Sequence, residues 1–179
     1  MTGAVKVLDP SLRDAAGLIR EVPDFPAPGV LFQDISPMLA DGEALGVLAE
    51  ALGRAGDFDV VAGVEARGFL LGATVARSFG TGVVGLRKPG KLPAVADRVD
   101  YDLEYGSATL ELPADALGPG QRVLVVDDVL ATGGTLGAAC DLVRKSGAKV
   151  TAAAVVLELT ALAGRDKLAD ETLRVLLSV

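Results

Sequence analysis

Two adjacent carboxylates, Asp127 and Asp128, follow the apolar run VLVV and stand three residues ahead of Thr132-Gly133-Gly134-Thr135. A loop such as 131–135 that opens a helix can point its backbone N–H groups at an anion, where the helix dipole also favours negative charge. Gly133 and Gly134 lack the Cβ that would hold a phosphate off the backbone. Thr132 and Thr135 add hydroxyl donors beside Ala131. Asp127 and Asp128 would repel a phosphate in contact. They make sense one sugar-length away, accepting from ribose hydroxyls or from water held by Mg2+. The pattern therefore predicts a site for a phosphorylated ribose.

A second turn of this kind is Glu65-Ala66-Arg67-Gly68, placed between an apolar run and a helical pattern. It predicts a second anion cradle, in which the Arg67 guanidinium can bind phosphate oxygens bidentately. Arg87, Lys88 and Lys91 concentrate positive charge in a chain whose net charge is −7. In GVLFQD the ring of Phe32 can stack on a planar base, while backbone groups of Leu31 and Gln33 can read its edge.

Other chemistries are excluded. The chain has no histidine, so His-based triads, His general bases and His metal sites are impossible. The single cysteine, Cys140, cannot form an intramolecular disulfide and fits a reducing cytoplasm; its spacing from Leu136 and Val143 predicts core packing. No Gly-Lys-Ser/Thr occurs, so there is no Walker A loop, and GTGVVG (80–85) precedes a strand instead of following one, unlike a dinucleotide fingerprint. The acidic balance argues against a nucleic-acid partner. No apolar run approaches the ~20 residues of a membrane span, and the start of the chain lacks a secretory pattern.

The elements that must hold these residues alternate along the chain. Asp9-Pro10 reads as the cap and first turn of a helix running into SLRDAAGLIREV. The proline-rich 23–37 stretch is neither helix nor linker. A helix is expected over 41–56, a strand at 59–64, a helix at 67–79 and a strand at 82–86. A long loop is expected over 88–105, followed by a short alternating strand at 107–113. A strand then ends at Asp128, a helix spans 135–146 before Gly147, and further strands cover 150–159 and 173–179. Between these last two, Thr160 is expected to cap a short helix. Apolar strands alternating with helices predict an α/β fold with a mainly parallel twisted sheet, as one domain over 1–179. Ligands bind beyond the carboxyl ends of such strands, where both turns lie.

VVDDVLATGGT resembles the signature of the type I phosphoribosyltransferases, which bind 5-phosphoribosyl 1-diphosphate through this loop. FPAPGVLFQDISP (25–37), GVEARGFLLG (63–72), RKPGKLP with YDLEYG (87–106) and ELTALAGRDKL (158–168) are similar to the adenine-specific enzymes, as is alanine at position 131. The resemblance implies a small N-terminal hood over the base, with Leu31, Phe32 and Gln33 on one side and Leu159 on the other. It further implies that 65–68 is the diphosphate turn and 88–105 a mobile catalytic loop. That loop would bring Arg87, Lys88 and Lys91 to the diphosphate held by Arg67, Asp127, Asp128 and 131–135. Glu104 is implied beside the base, managing its proton, with Glu104 and Arg67 as the catalytic residues. Mg2+ is implied on the substrate diphosphate and ribose, without direct protein ligands, and the assembly is implied to be a cytoplasmic homodimer.

The expected reaction is transfer of phosphoribose to N9 of adenine, giving AMP and diphosphate, a purine-salvage step. Two other readings stand beside it. A 6-oxopurine acceptor would require a donor, often Lys, facing its oxygen, and 157–162 offers none. A non-catalytic sensor of phosphoribosyl diphosphate that regulates transcription would require a DNA-binding segment and a basic face.

Overall fold

A computed structural model describes residues 5–102 and 106–179 of the chain. Its strands are β1 (Lys6–Val7), β2 (Arg20–Pro23), β3 (Leu31–Asp34), β4 (Val60–Val64), β5 (Gly82–Leu86), β6 (Val95–Asp102), β7 (Ser107–Pro113), β8 (Arg122–Leu130), β9 (Lys149–Glu158) and β10 (Leu173–Ser178). Its helices are α1 (Arg13–Ala16), α2 (Ser36–Ala40), α3 (Gly42–Gly53), α4 (Arg67–Phe79) and α5 (Gly134–Lys145). Among the described residues six strands form one sheet in the order β1-β10-β9-β8-β4-β5. Every pairing in it is parallel except the short antiparallel edge contact of β1 with β10.

The strands carry apolar side chains on both faces because both faces are covered, as parallel sheets require. Along β4 and β8, Val61, Leu124 and Val126 turn toward Leu48, Leu52 and Leu71 of α3 and α4. The alternate residues Val60, Ala62, Val123 and Val125 turn toward Leu136, Cys140 and Val143 of α5. This period of two places one core on each side of the sheet. Cys140 is fully buried there, and burial pushes its thiol up to about 12, so it is packing and not a nucleophile.

Two antiparallel ribbons flank the sheet. The β2–β3 ribbon, in the stretch expected as a hood, sets Val22 opposite Phe32 and Glu21 opposite Gln33. Strand β6 takes up 95–102 of the segment expected as loop (88–105), pairing antiparallel with Ser107–Pro113. The physical signal is the alternation in VADRVDYD, whose Val99 and Tyr101 pack against the second core while their neighbours face solvent. The helix expected after Asp9 is also shorter. Asp9 accepts from Ser11 N–H at 3.0 Å, but a 3-10 turn and four α-helical residues end before Gly17, freeing Arg20–Pro23 to pair with β3. Thr160 is not a cap, because its hydroxyl donates to the Val179 carbonyl at 2.6 Å and the following turns are 3-10.

Candidate active site

The site is built where β4 and β8, neighbours in the sheet, each run into a helix. β8 continues to Leu130, two residues past the expected end, because Val129 and Leu130 pair with Leu157 and Glu158 of β9. Asp127 and Asp128 are therefore buried inside a strand. The Asp127 Oδ1 atom accepts the Asp128 N–H at 2.9 Å. Burial first, and the neighbouring Asp128 charge second, push the Asp127 carboxyl well above the usual carboxylate range. Asp128 Oδ2 is held as an ion pair, with Arg67 Nη2 at 2.6 Å but off-line for a hydrogen bond.

Arg67 reaches Asp128 because Gly68 lets the start of α4 nest against β8. A Cβ at Gly68 would stand 2.8 Å from the Val126 carbonyl oxygen and 3.0 Å from Asp127 Oδ1. The same guanidinium lies 6.0 Å from the centroid of the Phe32 ring, and Phe25 meets Phe32 edge-on at 5.1 Å. Arg67 thus joins the β8 carboxylates to the hood. Val22, Phe25, Phe32, Asp34, Ser36 and Arg67 line a cavity of about 360 Å³ between them.

The loop 131–135 opens α5 as expected. No side chain caps α5, and among the described residues none accepts from the N–H groups of Thr132, Gly133, Gly134 or Thr135. These donors are free for an anion. The glycines have a second reason for being there. A Cβ on Gly133 would collide with the Gly164 carbonyl, and one on Gly134 would stand 2.5 Å from the Asp102 carbonyl oxygen. The start of α4 is likewise uncapped, and the Glu65–Ala66 peptide bond is cis.

Arg87 is half committed elsewhere. Its Nε donates to Glu65 Oε2 at 3.3 Å, and its guanidinium lies 5.5 Å from the Phe69 ring centroid. The Lys88 N–H donates to the same carboxylate at 2.9 Å. That bond, with Arg87 beside it, holds Glu65 below its usual range against the opposite effect of burial. The side chains of Lys88 and Lys91 are exposed. Leu31, Phe32 and Gln33 share β3, an edge strand, so one row of their backbone groups is not taken up by β2. The Gln33 side chain is buried and faces Glu21, with Nε2 3.5 Å from Glu21 Oε1. Leu159 does not line the Phe32 cavity; it packs against the core between the sheet and α3. Glu104 lies outside the described residues.

Sequence reasoning missed Asp34, whose Oδ1 accepts the Ser36 N–H at 2.9 Å and whose Oδ2 pairs with Arg20 at 2.5 Å. Ser36 first, and then Arg20, hold this carboxyl at about 2. The Asp-x-Ser spacing in FQDISP was the available signal. Among the described residues no group of three His, Cys, Asp or Glu could cage a metal. A paired, buried Asp127-Asp128 fits a Mg2+ whose inner shell comes from substrate oxygens and water. No helix among the described residues is long and apolar enough to cross a membrane.

The phosphoribosyl transferase domain model matches residues 42–175. An adenine phosphoribosyltransferase of Saccharopolyspora erythraea is 72% identical, covering 99% of this chain and 100% of that one. Among solved structures, an adenine phosphoribosyltransferase from Thermoanaerobacter pseudethanolicus superposes with a TM-score of 0.89 at 46% identity, over 94% of this chain and 99% of that one. The Saccharomyces cerevisiae adenine phosphoribosyltransferase, solved with an imino-altritol bisphosphate and adenine, gives 0.83 at 36% identity over 88% and 93%.

Proposed function

The chain belongs to the phosphoribosyl transferase family, and from that premise we propose the part each residue plays. The reaction is transfer of 5-phosphoribose to N9 of adenine, giving AMP. The donor is 5-phosphoribosyl 1-diphosphate. Its 5-phosphate rests on the free N–H groups at 132–135 with the Thr132 and Thr135 hydroxyls, and Ala131 leads the chain into that turn. Asp127 and Asp128 accept from the ribose hydroxyls, and the uncapped start of α4, with Arg67, takes the diphosphate. Arg87, Lys88 and Lys91 lie on the approach to that diphosphate.

Adenine lies against Phe32, with backbone groups of Leu31 and Gln33 reading its edge and Leu159 behind the end of β9. As the bond from C1 to diphosphate lengthens, C1 gains oxocarbenium-like charge and N9 attacks from the opposite face. No protein nucleophile is required, and catalysis is positioning plus electrostatic stabilisation. Glu104 manages the proton of the base. Mg2+, carried by the donor and linked through water to Asp127 and Asp128, supplies charge neutralisation at the diphosphate when bound. The fold works as one domain, and a homodimer is proposed across the α4–β5 edge, where Leu70 and Val83 are exposed.

The observation that carries this reading is the pairing of two uncapped helix starts on adjacent strands, bridged by Arg67–Asp128 with Phe32 alongside. The test is product formation from the purified chain with Mg2+, the donor, and adenine, hypoxanthine, guanine or xanthine singly. AMP from adenine alone is expected. Turnover of an oxopurine would overturn the base site, and no product with any base would overturn the reaction.

A further inference from the structure

We propose that Gly164 and Arg165 form a buttress that sets the position of the 131–135 loop and ties it to the end of β9, so that Gly164 is a positioning residue for donor binding. The proposal rests on the reading of that loop as the donor's phosphate cradle.

Two backbones meet here without side chains between them. A Cβ on Gly164 would collide with the Ala131 carbonyl and stand 2.9 Å from Gly133 N and 3.0 Å from Leu130 Cδ1. Reciprocally, a Cβ on Gly133 would collide with the Gly164 carbonyl and stand 3.2 Å from Lys167 Cβ. Among the described residues nothing accepts from the N–H groups of 132–135. The level at which those donors sit is therefore set from behind, by this contact.

The buttress is itself fixed at several points. Thr160 bonds the Val179 carbonyl through its N–H at 2.9 Å and its hydroxyl at 2.6 Å. Ala163, in the left-handed region at φ 50°, turns the chain so that Gly164 is buried. Arg165 Nε donates to Glu158 Oε1 at 2.6 Å, and that carboxylate is almost wholly enclosed. Glu158 ends β9 opposite Leu130, and the Leu159 N–H donates to the Leu130 carbonyl at 2.9 Å. Leu168 closes the segment in the second core. The strut therefore starts at the end of β9 and ends under the donor loop. Anion binding by backbone donors tolerates little displacement, since a shift near 1 Å at a positioned group reduces rate by about 100-fold.

The test compares Gly164→Ala, Arg165→Ala and Arg165→Lys in the full chain, with KM for donor and for adenine measured separately beside thermal melts. Gly164→Ala is expected to raise the donor KM about tenfold or more, with adenine KM within about twofold and folding retained. Arg165→Ala should raise donor KM severalfold, and Arg165→Lys should recover most of that. An unchanged donor KM in folded Gly164→Ala overturns the buttress, as does an equal rise in both KM values. If Gly164→Ala fails to fold, Arg165→Ala decides, because its half-exposed side chain is removable; an unchanged donor KM there overturns the proposal. Wild-type protein in the same assay must make AMP. Its failure would refute the donor-site reading itself, a result distinct from either variant's.

Discussion

The two strand-to-helix turns of the site both open a helix that no side chain caps, yet they differ in backbone and in the charge they carry. The β8–α5 turn carries two buried carboxylates before its free N–H groups, whereas the β4–α4 turn carries a cation, Arg67, within its first residue. The first has a neighbour at its back, the 160–168 segment; the second is anchored from the side, where Glu65 takes the Lys88 N–H and the Arg87 guanidinium. The difference teaches why they sit on adjacent strands. The buried Asp128 charge would be costly alone, and the 2.6 Å contact with the half-buried Arg67 lets one turn neutralise the other. A phosphate on either turn then meets donors without disturbing the partner's charge balance.

The most severe way to break the comparison is Asp128→Ala. It strands Arg67 without its carboxylate partner and removes the acceptor proposed for the ribose. Losing that acceptor and the carboxylate that positions Arg67 should lower kcat/KM for the donor by at least about 100-fold. Steady-state kinetics on a variant with a native circular dichroism spectrum check this, and unchanged donor kinetics refute the role.

Arg67→Lys keeps the charge but loses the planar fork and its position over Phe32. A fall of about 10-fold in kcat/KM for the donor is expected, smaller than for Asp128→Ala. An equal or larger loss would show that Arg67, and not the carboxylate, dominates the bridge. Phe32→Ala sharpens the assignment of the hood. Stacking worth ~1–3 kcal/mol predicts adenine KM up by about 10-fold with donor KM nearly unchanged; a rise in donor KM instead would place Phe32 on the wrong substrate.

Asp127→Asn gives the smallest effect, on stability. A carboxyl whose native pKa is raised above its unfolded value stabilises below the unfolded value and loses that contribution as pH rises through the native one. Burial and Asp128 raise Asp127 in this way. The Asp127 contribution is therefore lost as pH climbs from about 4, so the wild-type melting temperature should fall by a few degrees relative to that of Asp127→Asn over this range, and the variant should bind the donor more weakly. Melts across pH 4 to 8 decide, and an identical slope in both proteins would show that Asp127 is not the titrating group.

The alternating α/β plan is legible in the chain alone, because apolar runs bounded by glycines and helical spacing are local signals. So are both turns, since acid-then-TGGT and E-A-R-G carry their chemistry within a few residues. The strand at Val95–Asp102 is equally local, in the alternation of VADRVDYD, but the basic and proline residues just before it carry a loop signal of their own. What tertiary structure alone decided are contacts between distant parts of the chain. Phe32 meets Arg67 only because β3 is brought beside the start of α4, and Leu159 packs against the core between the sheet and α3. Asp127 and Asp128 lie inside β8 because β9 extends it by pairing. Gly133 needs the absence of a Cβ because the Gly164 backbone stands against it. A residue's type and spacing state which chemistry it can do; close approach between backbones far apart in the chain, which sets where that chemistry happens, leaves no periodicity to read.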